Sequence, residues 1–462
     1  MMLQRMPSSC LHLLRHGNNL VTRCEMYAAR RTMFSLARRS ITSDTTSQTR
    51  WLCSGPLPLN QSFRATLQSR PVRVTSLCQQ STSSSAVEST IAADIQQESD
   101  HLSVTVGNQT FKASYLWLRD HCRCSSCYEE TCHENFVDIV ALPDDIRPKE
   151  CHSKNGNLHL TWPDDHVTSY SIQWLQDNVP GQKSAAASSQ QLQPFYWDKA
   201  SLAGNLPEDV HIDEVREGDG LKKVMENLHV YGLTFISGVE ATQESTEEAL
   251  HLVAPPMYTH YGRVWQYQND GEIADAGYTS VSLKGHTDHT YFEHGAGGLA
   301  LHCLYHDGTG GENTLIDGFH AAKLLKETHP DHYDTLLHAP VVGHYLDPTK
   351  DFRCYHNVLR LNVLTGQLQQ IRFNPHDRST LSYMSYEDAE RFYAAYRTFG
   401  RIIESPESKF LTKLQPGRMV VFDNWRLLHG RAGFTGKRVM CGCYFNYDDF
   451  QNLKRTKANL DV

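Results

Sequence analysis

Nowhere in the 462-residue sequence do apolar side chains run unbroken for the roughly 18–20 positions that a membrane-spanning helix needs, so no membrane anchor is expected. Lysine is absent from residues 1–87, which hold eleven Arg and only two acids, Glu25 and Asp44. Arg- and Ser-rich, acid-poor sequence able to form short amphipathic helices, such as MYAARRTMFSLARRS, is the pattern of a mitochondrial import signal. A basic disordered tail is the alternative. A secretory signal is disfavoured, because no apolar segment with a small-residue cleavage site follows the first charges. The remaining chain lacks basic excess. Residues 1–87 carry +9 of a whole-chain −8, which leaves −17 for residues 88–462. A nucleic-acid partner, which calls for a basic face, is disfavoured. Thirteen Cys do not imply disulfides, since a matrix protein keeps its thiols reduced and several Cys have metal-ligand spacing.

The chain is long enough for one large or two medium domains with real cores. No internal repeat is visible. Residues 78–99, LCQQSTSSSAVESTIAADIQQE, are Ser/Gln-rich and non-periodic, which predicts a linker, so residues 1–99 stand apart from the folded protein. Between 100 and 178, alternating runs such as LSVTVGNQTFKASYLWL and NLHLTWPDDHVTSYSI predict a small β-rich domain. Residues 179–209 loosen into a Gly/Pro/Ser/Ala/Gln-rich connector. The block 210–455 opens on a helical pattern, GDGLKKVMENLHVYG, followed by the apolar run LTFISGV. GLALHCLYH, ENTLIDGF, RMVVFDN and RVMCGCYFN are further strand candidates, interrupted by helical HAAKLLKETHPDHYDTLL and YEDAERFYAAYRTFGRIIE. The expected fold class is mainly β with flanking helices, a double-stranded β-helix or jelly roll.

A non-haem Fe(II) oxygenase holds its metal by two His and one carboxylate on one face, leaving positions open for cosubstrate and oxygen. His-x-Asp supplies two of these ligands from one strand end, because alternate residues of a strand point the same way. The tripeptide occurs at His211, His286, His329 and His332, so it decides nothing alone. Context separates the four. His329 and His332 sit in a helical pattern and His211 in the connector region. His286 and Asp288 instead lie between DAGYTSVSLKGHTDHTYF and the apolar strand GLALHCLYH. Some way on, WRLLHGR places His429 just beyond RMVVFDN, and Arg438 follows at the start of another strand. Bound 2-oxoglutarate chelates iron through its keto oxygen and C1 carboxylate, so its C5 carboxylate needs a fixed cation. A guanidinium suits that task because its planar fork matches a carboxylate. In isolation His429 also reads as a strand-end His and Arg438 as a surface ion pair.

As an ordered set, these residues resemble the γ-butyrobetaine and trimethyllysine dioxygenase family. The resemblance runs from SYLWLRDHC near residue 114 to CGCYFNYDDF near residue 450. It is carried by YGRVWQY, YTSVSLKGHTDHTYF, GTGGENTLIDGF, LQPGRMVVFDNWRLLHGR and FTGKRVMCGCY. It implies that His286, Asp288 and His429 are the iron ligands and catalytic centre, with Arg438 on the 2-oxoglutarate C5 carboxylate. Thr314, in the GGENT turn, falls where related oxygenases use a Thr hydroxyl on the cosubstrate. Cys122, Cys124 and Cys127, with His166 in WPDDHVTSY, would give Zn²⁺ a closed tetrahedral shell, a structural site. Cys132 and His133 lie close enough in sequence to substitute, and plain buried thiols are the alternative.

A quaternary ammonium donates no N–H bond and is recognised by aromatic faces. Tyr261, Trp265, Tyr278 and Tyr444 match the family's trimethylammonium cage; without the resemblance each would read as core packing. The implied reaction is C3 hydroxylation of Nε-trimethyllysine to 3-hydroxy-trimethyllysine, early in carnitine biosynthesis, with release of succinate and CO₂. Fe(II), 2-oxoglutarate, ascorbate and structural zinc are the implied cofactors. The implied partners are a small quaternary-ammonium substrate and O₂, with a homodimer left open. The import signal and the wording of FTGKRVMCGCY and DDFQN favour the trimethyllysine branch and the mitochondrial matrix. The complete Cys-x-Cys-x-x-Cys set resembles the γ-butyrobetaine branch, so γ-butyrobetaine dioxygenase remains the alternative. A non-catalytic oxygenase-like binding module would be expected to lack a facial ligand or the cosubstrate Arg, and all four are present.

Overall fold

The computed structural model describes residues 93–181, 192–269, 277 and 279–460. The stretch expected to be an import signal and Tyr278, expected in the aromatic cage, lie outside the described residues. The first folded part is built from two three-stranded antiparallel sheets, Ala93–Gln97, His101–Val106 and Gln109–Ser114, then Glu150–Lys154, Asn157–Thr161 and Val167–Ser171. Strict alternation gives each sheet one apolar face. Leu102, Val104, Phe111, Leu158, Leu160 and Tyr170 turn inward onto the fully buried Trp162 and the short helix Tyr115–Asp120. The Lys154–Asn157 hairpin closes through Asn155 and Gly156 at φ 51° and 75°, the left-handed pair that matches the twist of the flanking strands.

Ala93–Gln97 falls inside the stretch read from sequence as linker. It is an edge strand paired in full register with Val106–Leu102, and only Ala93 and Ile95 face the core. Its remaining polar residues are what an exposed edge tolerates, and they hid the strand among the Ser/Gln-rich residues before it. The connector also ends earlier than its composition suggests. Trp197 and Leu202 are buried in the core of the larger part, and the helix Lys199–Ala203 is closed by a capping box between Asp198 and Ser201.

That larger part is a pair of facing sheets. One has the order Val264–Gln268, Arg438–Phe445, Gly298–His306, Arg418–Asp423, Leu233–Ser237, Val210–His211. The other has the order Leu283–His286, Leu427–Arg431, Asn313–Asp317, Phe410–Thr412. Parity distributes their side chains between three apolar layers. Phe235, Leu299, Leu315, Val420, Phe422 and Met440 fill the space between the sheets. Met419, Val421 and Cys441 face the helices Asp219–Val230, Gln243–Val253 and Tyr447–Ala458 on one outer side. Ile316 and Leu428 face the helices Gly318–Thr328, Pro330–His338 and Tyr386–Ile403 on the other. This is the expected double-stranded β-helix with helical support. The helical pattern HAAKLLKETHPDHYDTLL breaks at His329, because Pro330 starts the second helix at the position where its missing N–H costs nothing.

The long helix Tyr386–Ile403 buries Phe392, Ala395, Phe399 and Ile403 at helical spacing. Phe399 meets Phe373 edge-on at 5.5 Å, and the Phe373 backbone N–H donates to the Thr287 hydroxyl at 3.0 Å, so this packing reaches the His286–Asp288 segment. Phe399→Ala should therefore destabilise the protein by about 3–5 kcal/mol in urea unfolding. A loss below about 1 kcal/mol would show that this helix does not anchor the core.

Candidate active site

The Leu283–His286 and Leu427–Arg431 strands run antiparallel with His286 directly opposite His429. Their rings stand 4.5 Å apart between centroids. The close approach depends on Gly430, where an added Cβ would fall 2.6 Å from the Leu283 carbonyl oxygen. Asp288 lies just past the strand end and is clamped through its backbone. Its N–H donates to Asn424 Oδ1 at 3.0 Å, and Asn424 Nδ2 donates to its carbonyl at 3.1 Å and to that of Ala296 at 3.1 Å. Between the two ligand candidates, the Thr287 N–H donates to the Phe373 carbonyl at 2.8 Å.

Three side chains from these two strands converge. Asp288 Oδ1 is 3.2 Å from His286 Nε2, and Asp288 Oδ2 is 3.4 Å from His429 Nε2. The donor atoms of His286, Asp288 and His429 all fall within 4.8 Å of one another. His286 Nδ1 is 2.8 Å from the Lys284 carbonyl, which assigns the proton to Nδ1 and the lone pair to Nε2. Burial acts to raise the Asp288 carboxyl, but the two imidazoles override it and hold it well below the usual carboxylate range. Burial lowers His429 and keeps it neutral. A carboxylate and two imidazole nitrogens on one side of an open space are the donor set that suits Fe(II). The other His-x-Asp pairs are elsewhere. His211 caps the helix Ile212–Glu217, and His329 and His332 flank the start of Pro330–His338.

The triad opens into a cavity of about 430 Å³. Arg438 lines it while 4 % exposed, at the first position of its strand, and its Nη2 donates to Asn313 Oδ1 at 3.0 Å. Thr314 corrects the sequence reading. On the Asn313–Asp317 strand, Leu315 belongs to the inner layer and Ile316 to the outer one, so Asn313 points inward and Thr314 away. Asn313, not Thr314, lines the cavity, and its buried Nδ2 has no hydrogen-bond partner among the described residues. Strand parity between GG and the run LID would have found it.

Aromatic rings form another wall. Tyr261 stacks on Trp265 at 5.6 Å, and Trp265 stacks on Tyr444 at 4.6 Å. Trp265 lies flat over its cross-strand partner Gly442, where a Cβ would come within 2.4 Å of the indole. The Tyr444 hydroxyl donates to Asp288 Oδ2 at 2.6 Å, tying this wall to the triad. Burial, with the Asp288 charge, pushes the Tyr444 phenol well above its ordinary range and keeps it a donor. Residues missed from sequence complete the lining. Tyr291 adds a ring, His344 and Tyr345 come from the hairpin Pro340–Leu346/Asp351–Asn357, and Asn374 and Asp377 come from one turn. Nothing in their sequence context distinguishes them from ordinary loop residues.

A second convergent group lies in the small β-rich part. His166 Nε2 is 3.2, 3.6 and 3.6 Å from the sulfurs of Cys122, Cys124 and Cys127. The WPDDH turn that presents His166 is fixed by the Asp165 N–H donating to the Trp162 carbonyl, with Asp165 at φ 64°. Thr168 Oγ1 donates to Cys122 Sγ at 3.3 Å and Arg119 Nη1 to Cys127 Sγ at 3.5 Å, which suits sulfurs that carry charge. Cys132 and His133 are exposed, and His133 pairs with the Tyr128 hydroxyl instead. Three sulfurs and one nitrogen, all within 4.8 Å of one another, fit tetrahedral Zn²⁺.

Comparison with known proteins agrees with this geometry. Residues 93–176 match a domain described as gamma-butyrobetaine hydroxylase-like, N-terminal. The chain is 36% identical over 367 residues to trimethyllysine dioxygenase, mitochondrial, of Rattus norvegicus, covering 78% of this chain and 86% of that protein. The Homo sapiens protein of that name is also 36% identical, over 369 residues, with 78% and 86% covered. Gamma-butyrobetaine dioxygenase of Homo sapiens is 29% identical over 345 residues, with 72% and 88% covered. Residues 199–444 match the taurine catabolism dioxygenase TauD, TfdA family. The chain is therefore a 2-oxoglutarate-dependent dioxygenase and belongs to the TauD, TfdA family.

Proposed function

We propose that this dioxygenase hydroxylates Nε-trimethyllysine at C3, the early step of carnitine synthesis, in the mitochondrial matrix. The observation that carries the reading is the wall of stacked Tyr261, Trp265 and Tyr444 joined to the His286–Asp288–His429 group by the 2.6 Å Tyr444–Asp288 hydrogen bond. Aromatic faces attract a trimethylammonium that offers no N–H donor. The rat and human relatives bear the name of the trimethyllysine enzyme, and the Arg-rich first 87 residues suit import. γ-Butyrobetaine is the competing substrate.

In this reading His286, Asp288 and His429 hold Fe(II), and Arg438 with the Asn313 amide holds the 2-oxoglutarate C5 carboxylate. Asn313 suits a double role, since Oδ1 accepts from Arg438 while Nδ2 is left to donate into the cavity. With Fe(II) bound, the centre would couple oxidative decarboxylation of 2-oxoglutarate by O₂ to hydroxylation, releasing CO₂ and placing one oxygen atom in succinate and the other in the hydroxylated product. The protein's own contribution is placement. The aromatic wall fixes the quaternary nitrogen, which determines the carbon presented to the metal, and Tyr444 holds the Asp288 carboxylate still by donating to its second oxygen. Zinc at Cys122, Cys124, Cys127 and His166 holds the small domain together.

The reading is tested by measuring succinate release with trimethyllysine and γ-butyrobetaine side by side, in Fe(II), ascorbate and 2-oxoglutarate. Trimethyllysine should give the higher kcat/KM; a preference for γ-butyrobetaine would replace the substrate assignment. His286→Ala should abolish turnover while its thermal unfolding stays close to wild type, whereas wild-type activity would reject the metal assignment. Trp265→Leu should raise the KM for trimethyllysine roughly tenfold or more and leave that for 2-oxoglutarate unchanged; equal effects on both would remove the cage. For zinc, metal analysis of the Fe-depleted protein should find one equivalent, and Cys124→Ser should lose it and lower the melting temperature. Retention of zinc in that variant would place the ion elsewhere.

A further inference from the structure

Arg431 follows His429 by two positions on the same strand, so its side chain leaves the same face and lines the same cavity. It is buried, and its guanidinium is spent on backbone. Nη1 donates to the Gly277 carbonyl at 3.0 Å, and Nη2 donates to the carbonyls of Thr279 at 2.6 Å and Val281 at 2.8 Å. Three alternate carbonyls of one stretch thus converge on one planar group. The guanidinium carbon lies 4.9 Å from the centroid of the Phe434 ring, and the Phe434 N–H donates to the carbonyl of Ser280 at 3.2 Å. Arg431 has a cross-strand partner on each side, Leu283 and Asn313. Gly277 and Leu283 line the cavity, and Asn313 accepts from Arg438. Arg431 therefore stands between one wall of the cavity and the pocket assigned to the cosubstrate.

Resting on the reading of this cavity as a betaine site, we infer that Arg431 is a positioning residue: it holds the wall made by Gly277 and Leu283 in place and thereby sets which substrate carbon faces the metal. Residues 279–282 belong to no strand, so no β-ladder fixes their backbone. Carbonyls in such a stretch need side-chain donors, and those from a charged fork are the strong ones. A guanidinium can bridge three carbonyls at once, whereas an ammonium acts as a point charge. The metal ligands are held by other means. His286 and His429 are paired across strands, and Asp288 is clamped by Asn424. Loosening Arg431 would thus slacken the wall while leaving the ligands in place. The methylene chain of a betaine has no polar handle between its ends, so wall contact is what aligns its C–H bonds. A displacement of about 1 Å there is enough to take the reacting carbon out of reach.

The test compares wild type with Arg431→Met, which keeps the bulk and removes every donor, and Arg431→Lys, which keeps the charge without the fork. Cosubstrate binding is followed by titrating the Fe(II) protein with 2-oxoglutarate in the absence of oxygen and recording the visible charge-transfer band. Trimethyllysine binding is followed by calorimetry on the same complex, and coupling by the ratio of hydroxylated product to succinate. Arg431→Met should bind 2-oxoglutarate within about threefold of wild type, bind trimethyllysine roughly tenfold or more weakly, and give less than about half the product per succinate. Arg431→Lys should fall between, and it carries the test alone if Arg431→Met does not fold. A lysine variant with wild-type coupling and trimethyllysine affinity, or one that loses 2-oxoglutarate binding as severely as trimethyllysine binding, would overturn the assignment while the substrate reading stands. A wild type that hydroxylates γ-butyrobetaine and not trimethyllysine would overturn the substrate reading alone, and the same comparison on γ-butyrobetaine then decides the role of Arg431. A wild type that hydroxylates neither would overturn both.

Discussion

The site depends on one cross-strand pair. His286 and His429 are far apart in sequence, and they meet because their strands pair antiparallel with these two residues opposite each other. A slip of either strand by one residue would turn its imidazole out of the space between the sheets and away from the other. Several features pin that register. Gly430 lets the backbones close, Ile316 and Leu428 pack outward against the helices, and the Thr287–Phe373 hydrogen bond draws the strand end toward a third segment. Asn424 performs the same service for Asp288, using both ends of its amide on backbone groups. The ligand set is thus held by buried backbone contacts rather than by the flexibility of loops.

The cavity divides its wall chemically. Stacked rings occupy one side, a buried guanidinium with an amide another, and polar groups of one turn and one hairpin a third. Each surface suits a different charge distribution, so a substrate and a cosubstrate are sorted by complementarity before any chemistry begins. Tyr444 belongs to two of these functions, stacking on Trp265 while donating to Asp288. The zinc-type cluster is built on another logic. Its four donors come from a Cys-rich turn and a distant β-turn, and they join two pieces of a small domain that is otherwise held by a modest core.

Much of this was legible in the sequence because it is written in periodicity. The alternating strands of the core and the amphipathic helices fall where the patterns put them, and the facial group was singled out by one His-x-Asp in strand context plus one distant His and assigned through the family resemblance. The errors have physical causes. Ala93–Gln97 is a polar edge strand and carries too little apolar signal to stand out from a Ser/Gln-rich stretch. Thr314 was chosen for its hydroxyl, although strand parity directs Asn313 into the cavity. Asn374 and Asp377 were invisible, since a turn contributes to a site only through long-range packing that no local pattern encodes.

The central claim is that the 286–429 pairing assembles a single ferrous site with Asp288. X-ray absorption of zinc-replete protein loaded with Fe(II) tests it most directly. The account predicts scattering from two imidazoles with oxygen in the remaining positions, falling to one imidazole in His429→Ala. Sulfur ligation of the iron, or the same imidazole scattering in both proteins, would contradict it.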